Sequence, residues 1–539
     1  MTSSAPIEVL QQAGADVARV VRRVLSRVAL PRRDGFWLVV QLSASPEELR
    51  APFSPFGQRP APSLVELLEI LDAARRDPQV DGVLLRISGP LHGISRVLSL
   101  RRAVQAFRAA GKPVAVYAET LEAESLLLAS AASAIWLPET GNVFLVGLRL
   151  ESMFLRGVLE RLDLKPEVVR IGRYKSAAER LTRDAMSPEN REQLEALADD
   201  LYDELVAGIA NGRGLSHSKV RELVDKGPYG ARAAVAVGLA DACLYPDEID
   251  RALEALTPVP PAERPGPRRV RRVDSSVYAA MRVDAAGPLF ARVPRIAYVV
   301  ASGTIGRGAG LRGIRSDRYR ELFDALARDR GVRGVVLRVD SGGGDALASD
   351  LLWRAISLVR REKPVVVSMG DVVASGGYYM AAAADEVVAE PCSVTGSIGV
   401  VGGKLNLEGL YRRVGVSKQG VERGARAGLL SESRGFTPDE RHAVQREMAE
   451  LYDTFVDRVA EGRGLTRAEI EKVAQGRIWS GARAQKFGLV DTLGGPLEAL
   501  QTVRRRAGLR DGEPVRVDHY PHSPKFPSLR EILRFTPFG

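Results

Sequence analysis

Asp81-Gly-Val-Leu-Leu-Arg-Ile-Ser88 and Arg333-Gly-Val-Val-Leu-Arg-Val-Asp340 are nearly the same stretch, met twice in one chain of 539 residues. Each is a short Val/Leu/Ile run bounded by turn residues, the pattern of a strand buried on both faces of a parallel sheet. The neighbours of each run match as well. Gly111-Lys-Pro-Val-Ala-Val116 is answered by Glu362-Lys-Pro-Val-Val-Val367, and Asn211-Gly-Arg-Gly-Leu215 by Glu461-Gly-Arg-Gly-Leu465. Gly230-Ala-Arg232 returns as Gly481-Ala-Arg483, and Gly238-Leu-Ala-Asp241 as Gly488-Leu-Val-Asp491, always about 250 residues on. Constant order and constant spacing establish an internal duplication.

Working outward, each copy opens on a short apolar run (residues 36–42 and 295–300). Amphipathic helical stretches then alternate with further β-branched runs (83–87 and 335–339; 114–117 and 365–368). This alternation predicts an α/β fold, two tandem units with mostly parallel sheets and flanking helices. Ser187-Pro188 and Thr437-Pro438 each start a long helix, with a hydroxyl to cap it and proline in the first turn. The domain boundaries expected are an N-terminal amphipathic segment at 1–34, a first unit at 35–255, a Pro-rich linker at 256–290, a second unit at 291–505 and an irregular tail at 506–539.

Composition narrows the function. Hydrophobic residues make up 45% and charged residues 27%, an ordinary balance for a chain with large cores. The net charge of +10 comes from arginines scattered through amphipathic segments; the densest run, Arg268 to Arg272, lies in the Pro-rich stretch, and no nucleic-acid partner is expected. Cys243 and Cys392 make no CxxC, which argues against structural zinc and thiol redox chemistry. No run is long and apolar enough for a membrane span. Residues 6–30 are apolar at helical spacing but carry Asp16, Arg19, Arg22, Arg23 and Arg27, which suits a surface-packed helix or one lying on an anionic membrane.

The copies differ where chemistry would sit. After its central strand the second copy has Asp340-Ser341-Gly342-Gly343-Gly344-Asp345, a turn whose backbone N–H groups could approach an oxyanion; the first copy has Ser88-Gly89-Pro90-Leu91-His92. After its third strand the second copy reads Ala374-Ser375-Gly376-Gly377-Tyr378-Tyr379, a serine at a strand-to-helix turn with the next N–H at a helix N-terminus, and Glu124 stands opposite Ser375 in the first copy. None of the five histidines has a local context that would make it the partner base. The first copy instead offers Arg170-Ile-Gly-Arg-Tyr-Lys-Ser-Ala177, in which Lys175 falls opposite Ala425, Arg426 or Ala427 of the second copy, none of them able to act as a base. One copy keeps a serine and the other keeps a lysine.

Tyr174-Lys-Ser-Ala177, Ala374-Ser-Gly-Gly-Tyr-Tyr379 and Thr395-Gly-Ser-Ile-Gly399 together resemble the signal peptide peptidase A family, in its long bacterial form with two tandem copies. The resemblance covers roughly residues 36–503 and implies a fold of the Clp-protease/crotonase superfamily. It implies a serine-type endopeptidase in which Ser375 is the nucleophile, Lys175 the general base and Ser397 a hydrogen-bond partner of the lysine amine, with Gly343, Gly344 and Gly376 supplying the oxyanion hole. It implies peptide substrates such as remnant signal peptides and unfolded hydrophobic segments, and a ring-like homotetramer; the chemistry it implies needs no cofactor and no metal. The family's long form usually begins with a membrane anchor, and this sequence shows no clear one, so peripheral attachment at the inner membrane or a cytoplasmic location is expected. Two positions depart from the family pattern: Asp340 and Gly342 stand where Asn and Pro are usual. An acyl-CoA enzyme on the same fold and a non-catalytic scaffold are the rival readings; neither accounts for the complementary Ser375 and Lys175.

The proposed base sets a physical demand. A lysine has a pKa of ~10.4 in water, and burial away from carboxylates can lower it by ~3–5 units. Lys175 is therefore expected in an enclosed, apolar pocket.

Overall fold

The computed structural model describes residues 35–49, 61–257, 270–283, 293–310, 312–510 and 512–521. The amphipathic segment at 1–34, most of the Pro-rich stretch and the end of the tail lie outside the described residues.

Each copy builds one twisted sheet. The first runs Arg272–Asp274, Phe36–Leu42, Val80–Ile87, Val114–Ala118, Ala134–Leu137 and Ala242–Cys243, every neighbouring pair parallel. The second runs Arg516–Tyr520, Arg295–Ser302, Val332–Ser341 and Val365–Ala374 in parallel, then divides. One branch is Glu386–Ala389 with Thr492–Leu493; the other is Val394–Gly396 with the antiparallel Ile478–Ser480. The central strands are covered by helices and are buried almost throughout, which is why they read as unbroken apolar runs.

Two expectations are corrected here. The stretch 506–539 contains the edge strand Arg516–Tyr520, and the stretch 256–290 contains Arg272–Asp274, which joins the first sheet. Each strand lies beside the opening strand of its own unit, so the repeat extends further than the apolar runs suggest. Both are half-buried edges with mixed Arg, Asp and Val, a composition without a strong strand signal.

The long helices Pro188–Arg213 and Pro438–Arg463 start as the sequence indicates. Ser187 accepts the Asn190 N–H, and Thr437 forms a capping box with Glu440. Among the described residues no helix is long and apolar enough to cross a membrane.

The two units meet over polar contacts and one shared ribbon. Lys165–Ile171 of the first pairs antiparallel with Val400–Asn406 of the second. Asp371 accepts the Ser95 N–H (2.9 Å) and the Arg96 Nε (2.7 Å). Fully buried Arg338 forks onto Glu48, with Nε to Oε2 at 2.9 Å and Nη2 to Oε1 at 2.7 Å. Helix Pro188–Arg213 reaches the second unit through Asp200, which accepts from Ser480 Oγ and Arg483 Nε, both at 2.6 Å.

Candidate active site

Ser375 follows the strand Val365–Ala374 and caps the helix Gly376–Ala381. Its backbone stands at φ 54°, ψ −121°, a strained setting for a residue with a side chain. The surroundings hold it there: the Ser375 N–H donates to the Gly396 carbonyl (2.9 Å) and its own carbonyl accepts from the Tyr379 N–H (2.9 Å). The hydroxyl is thereby displayed at the turn, half-buried, with the helix's first amide next to it.

Gly343 packs against this turn at φ +98°, and a Cβ on it would come within 2.7 Å of Gly376 N and 2.9 Å of Ser375 Cβ. Only glycine fits there. Its own N–H is engaged, donating to Ser341 Oγ (3.1 Å). The N–H groups of Gly344 and Gly376 have no acceptor among the described residues. Asp340 turns out of the loop: its carboxylate accepts the Val372 N–H at 3.0 Å and lies 4.0 Å from Arg96. Its carboxylate is thus tied to the neighbouring strand.

Lys175 arrives from the other unit. The shared ribbon carries the chain to a loop in which the Tyr174 N–H donates to the Gln475 carbonyl (2.8 Å). Buried Gln193 ties the loop down: its amide donates to Tyr174 O (3.3 Å) and Ser176 Oγ (3.0 Å), and its oxygen accepts the Ile478 N–H of the second unit (3.1 Å). Lys175 Nζ then lies 2.9 Å from Ser375 Oγ, 3.0 Å from Ser397 Oγ and 2.8 Å from the Ser397 carbonyl. Lys175 is 5% exposed, and burial pulls its amine down to about 8. The amine donates to all three oxygens; once it loses a proton, the lone pair so freed can face the Ser375 hydroxyl while the two remaining N–H groups hold the Ser397 oxygens.

The structure thus brings Ser375, Lys175 and Ser397 together within one chain. It also corrects the alignment of the copies. Thr120–Glu122 pairs with Asn142–Phe144 as the end of Val365–Ala374 pairs with Val394–Gly396, which puts Ala123, not Glu124, opposite Ser375. The offset between copies is 252 residues from Asn142/Val394 through the helix starts Arg156/Glu408 and 250 at Pro188/Pro438, which puts Leu145 opposite Ser397 and leaves Lys175, between these anchors, opposite Ala425, Arg426 or Ala427. The first copy has alanine opposite the serine, and the second has no group able to act as a base at any of the three positions opposite the lysine.

Gln193, Gln475 and Gly476 were not expected at the site. Gly476 sits at φ +76°, and a Cβ on it would lie 2.6 Å from Lys175 Cβ and from Lys175 N. Gly476→Ala is expected to push the lysine out of line and lower turnover by about 10²-fold, the effect of a displacement near 1 Å. Steady-state kinetics beside a thermal melt checks this; unchanged turnover in a folded variant contradicts it.

A serine at a strained strand-to-helix turn, two free amides beside it and a buried amine against its hydroxyl, on a parallel α/β scaffold, are the architecture of a serine-type peptidase. The chain belongs to peptidase family S49, whose sequence pattern matches residues 106–259 and 357–510, one stretch in each unit. It is 34% identical to the chloroplastic serine protease SPPA of Arabidopsis thaliana over 83% of this chain and 66% of that one. It is 30% identical to Protease 4 of Salmonella typhi over 86% of this chain and 74% of that one. Among solved structures, a ClpP1 variant from Listeria monocytogenes aligns over 38% of this chain and 94% of its own at 15% identity, with a TM-score of 0.24, too low to carry an argument.

Proposed function

We propose that the chain is a Ser/Lys-dyad endopeptidase that cleaves extended hydrophobic polypeptides, remnant signal peptides among them. The observation that carries this reading is the 2.9 Å approach of the buried Lys175 amine to the Ser375 hydroxyl. With a pKa of about 8, roughly a tenth of the amine is neutral at pH 7, against fewer than one in a thousand in water.

The neutral amine takes the Ser375 proton as Oγ attacks the peptide carbonyl. The carbonyl oxygen becomes an oxyanion that accepts from the Gly344 and Gly376 N–H groups, donors of a kind worth ~3–4 kcal/mol each. The Lys175 ammonium returns the proton to the departing amine as the C–N bond breaks. Water, deprotonated by the same amine, then opens the ester and restores the hydroxyl. The substrate lies as an added strand, held through its main chain, which suits unfolded segments and sets no single side chain as obligatory.

The assembly carried by the resemblance, a ring-like homotetramer at the membrane surface or in the cytoplasm, belongs to this reading. A fluorophosphonate probe tests the chemistry: it is expected to label the native chain and to spare Ser375→Ala. Equal labelling of both removes Ser375 from the mechanism.

A further inference from the structure

The helix Ile94–Ala109 of the first unit starts without a cap of its own. Its repeat mate Ala346–Glu362 is capped by Asp345, whose carboxylate accepts the Ala348 N–H at 2.8 Å. Gly93 stands at the matching position, at φ +89°, and offers no side chain. The cap comes from the second unit instead. Asp371 accepts the Ser95 N–H, and a Cβ on Gly93 would lie 2.2 Å from Asp371 Oδ2. Arg96, in the first turn of the same helix, donates Nε to that carboxylate and brings Nη2 to 4.0 Å from the Asp340 carboxylate.

Both acids flank the catalytic turn. Asp371 lies four residues ahead of Ser375, and Asp340 four residues ahead of Gly344, one of the two proposed oxyanion donors. The two strands bulge between them. Val339 pairs with Met369 and Ser341 with Val373, so Asp340 alone faces Gly370, Asp371 and Val372. The Asp340 carboxylate fills the bulge by accepting the Val372 N–H, and a Cβ on Gly370 would lie 2.7 Å from Asp340 Cβ.

The charges there are unevenly matched. Asp371 has the Ser95 N–H, the positive end of a helix and the Arg96 Nε. Asp340 has one amide, and among the described residues Arg96 is the one cation within 4.0 Å of it. Arg338, on its own strand, acts at longer range and is held by Glu48. The other ionisable groups that bear on Asp340, Asp371 and Glu48, are both acidic. Burial raises the Asp340 carboxyl from its ordinary value against the Val372 amide, and the two acids add to the rise.

We infer that Arg96 is a positioning residue for the oxyanion hole: its guanidinium, delivered by the first unit, balances Asp340, holds the Gly-rich loop to the bulge and keeps an unbalanced negative charge away from the developing oxyanion. Asparagine, usual in the family at this position, could accept the same amide without a charge. The aspartate makes the hole depend on Arg96. The inference rests on the hole proposed above; Ser375→Ala labelling tests that reading by itself, whereas the chains compared here all keep the serine.

Fluorophosphonate acylation followed across pH, beside thermal melts, tests the pair. Arg96→Gln is expected to slow acylation about tenfold at mildly alkaline pH, the size of an unscreened like charge in a partly buried site. Its rate relative to the native chain should rise toward equality as pH falls and Asp340 takes up a proton. Arg96→Lys, which keeps the charge, should retain most of the rate. Asp340→Asn should cost no more than about twofold, and adding Arg96→Gln to it no more than about twofold again, because the two residues act on each other. A loss in Arg96→Gln that is the same at every pH and persists beside Asp340→Asn would reduce the arginine to a tie between the units and overturn the proposal, as would no loss at all. Should Arg96→Gln fail to fold, the double variant decides: native-like folding and rate support the proposal, and failure to fold overturns it.

Discussion

Lys175→Ala is expected to lower kcat/KM on the order of 10⁴-fold or more, about 5 kcal/mol of lost transition-state stabilisation. Among the described residues no other base hydrogen-bonds Ser375 Oγ: the amine is the group against it, at 2.9 Å, and without it the hydroxyl is expected to keep its proton. Lys175→Arg should fare no better, since a guanidinium remains charged and cannot accept a proton. Lys175→Met separates chemistry from folding. Burying the amine opposes its charge, as its lowered pKa shows, so an apolar chain of similar length should leave stability equal or higher while activity is lost. Probe labelling beside a denaturation curve reads both. A Lys175→Met chain that keeps native reactivity contradicts the assignment.

The largest expected stability effect lies at the seam. Glu48→Ala leaves the Arg338 guanidinium buried, retaining Ser368 Oγ at 3.0 Å and the Met369 carbonyl but no carboxylate in contact, Asp340 acting on it only at longer range. Arginine cannot escape by deprotonating. Removing one partner of such a pair costs about 3–5 kcal/mol, whereas exchanging both for apolar residues of similar volume is close to neutral. Chemical denaturation should therefore show a loss of about that size for Glu48→Ala and a much smaller one for Glu48→Leu combined with Arg338→Met. A single-variant loss below about 1 kcal/mol would mean that water reaches the arginine. Because Arg338 lies on the strand that runs into the Gly-rich loop, the single variant should also slow acylation.

The duplication and the central strands of each unit were legible because buried parallel strands write themselves as apolar runs; their order in the sheets came from the structure. The serine and lysine were legible through comparison of the copies: at each position one copy holds a reactive group and the other does not. The finer alignment was not, since Ala123 emerges opposite Ser375 only from the sheet register. Nor was the apparatus that holds the lysine. Gln193, Gln475 and Gly476 act across a seam between residues some hundreds of positions apart, and local patterns carry no trace of such contacts. Gly476 offered the one available signal, a glycine just ahead of the matched Gly481-Ala-Arg483. The edge strand Arg516–Tyr520 was hidden by its mixed composition, although the helix-then-strand order of the first unit calls for it.

The rate at which a fluorophosphonate acylates Ser375, followed across pH, reads the ionisation of the group that removes its proton and needs no knowledge of the natural substrate. The rate should climb with pH through a single midpoint near about 8, where the buried Lys175 amine loses its charge, and the climb should vanish in Lys175→Met. A midpoint near ~10.4, as for a lysine in water, or the same profile in both chains, would contradict a neutral amine as the base.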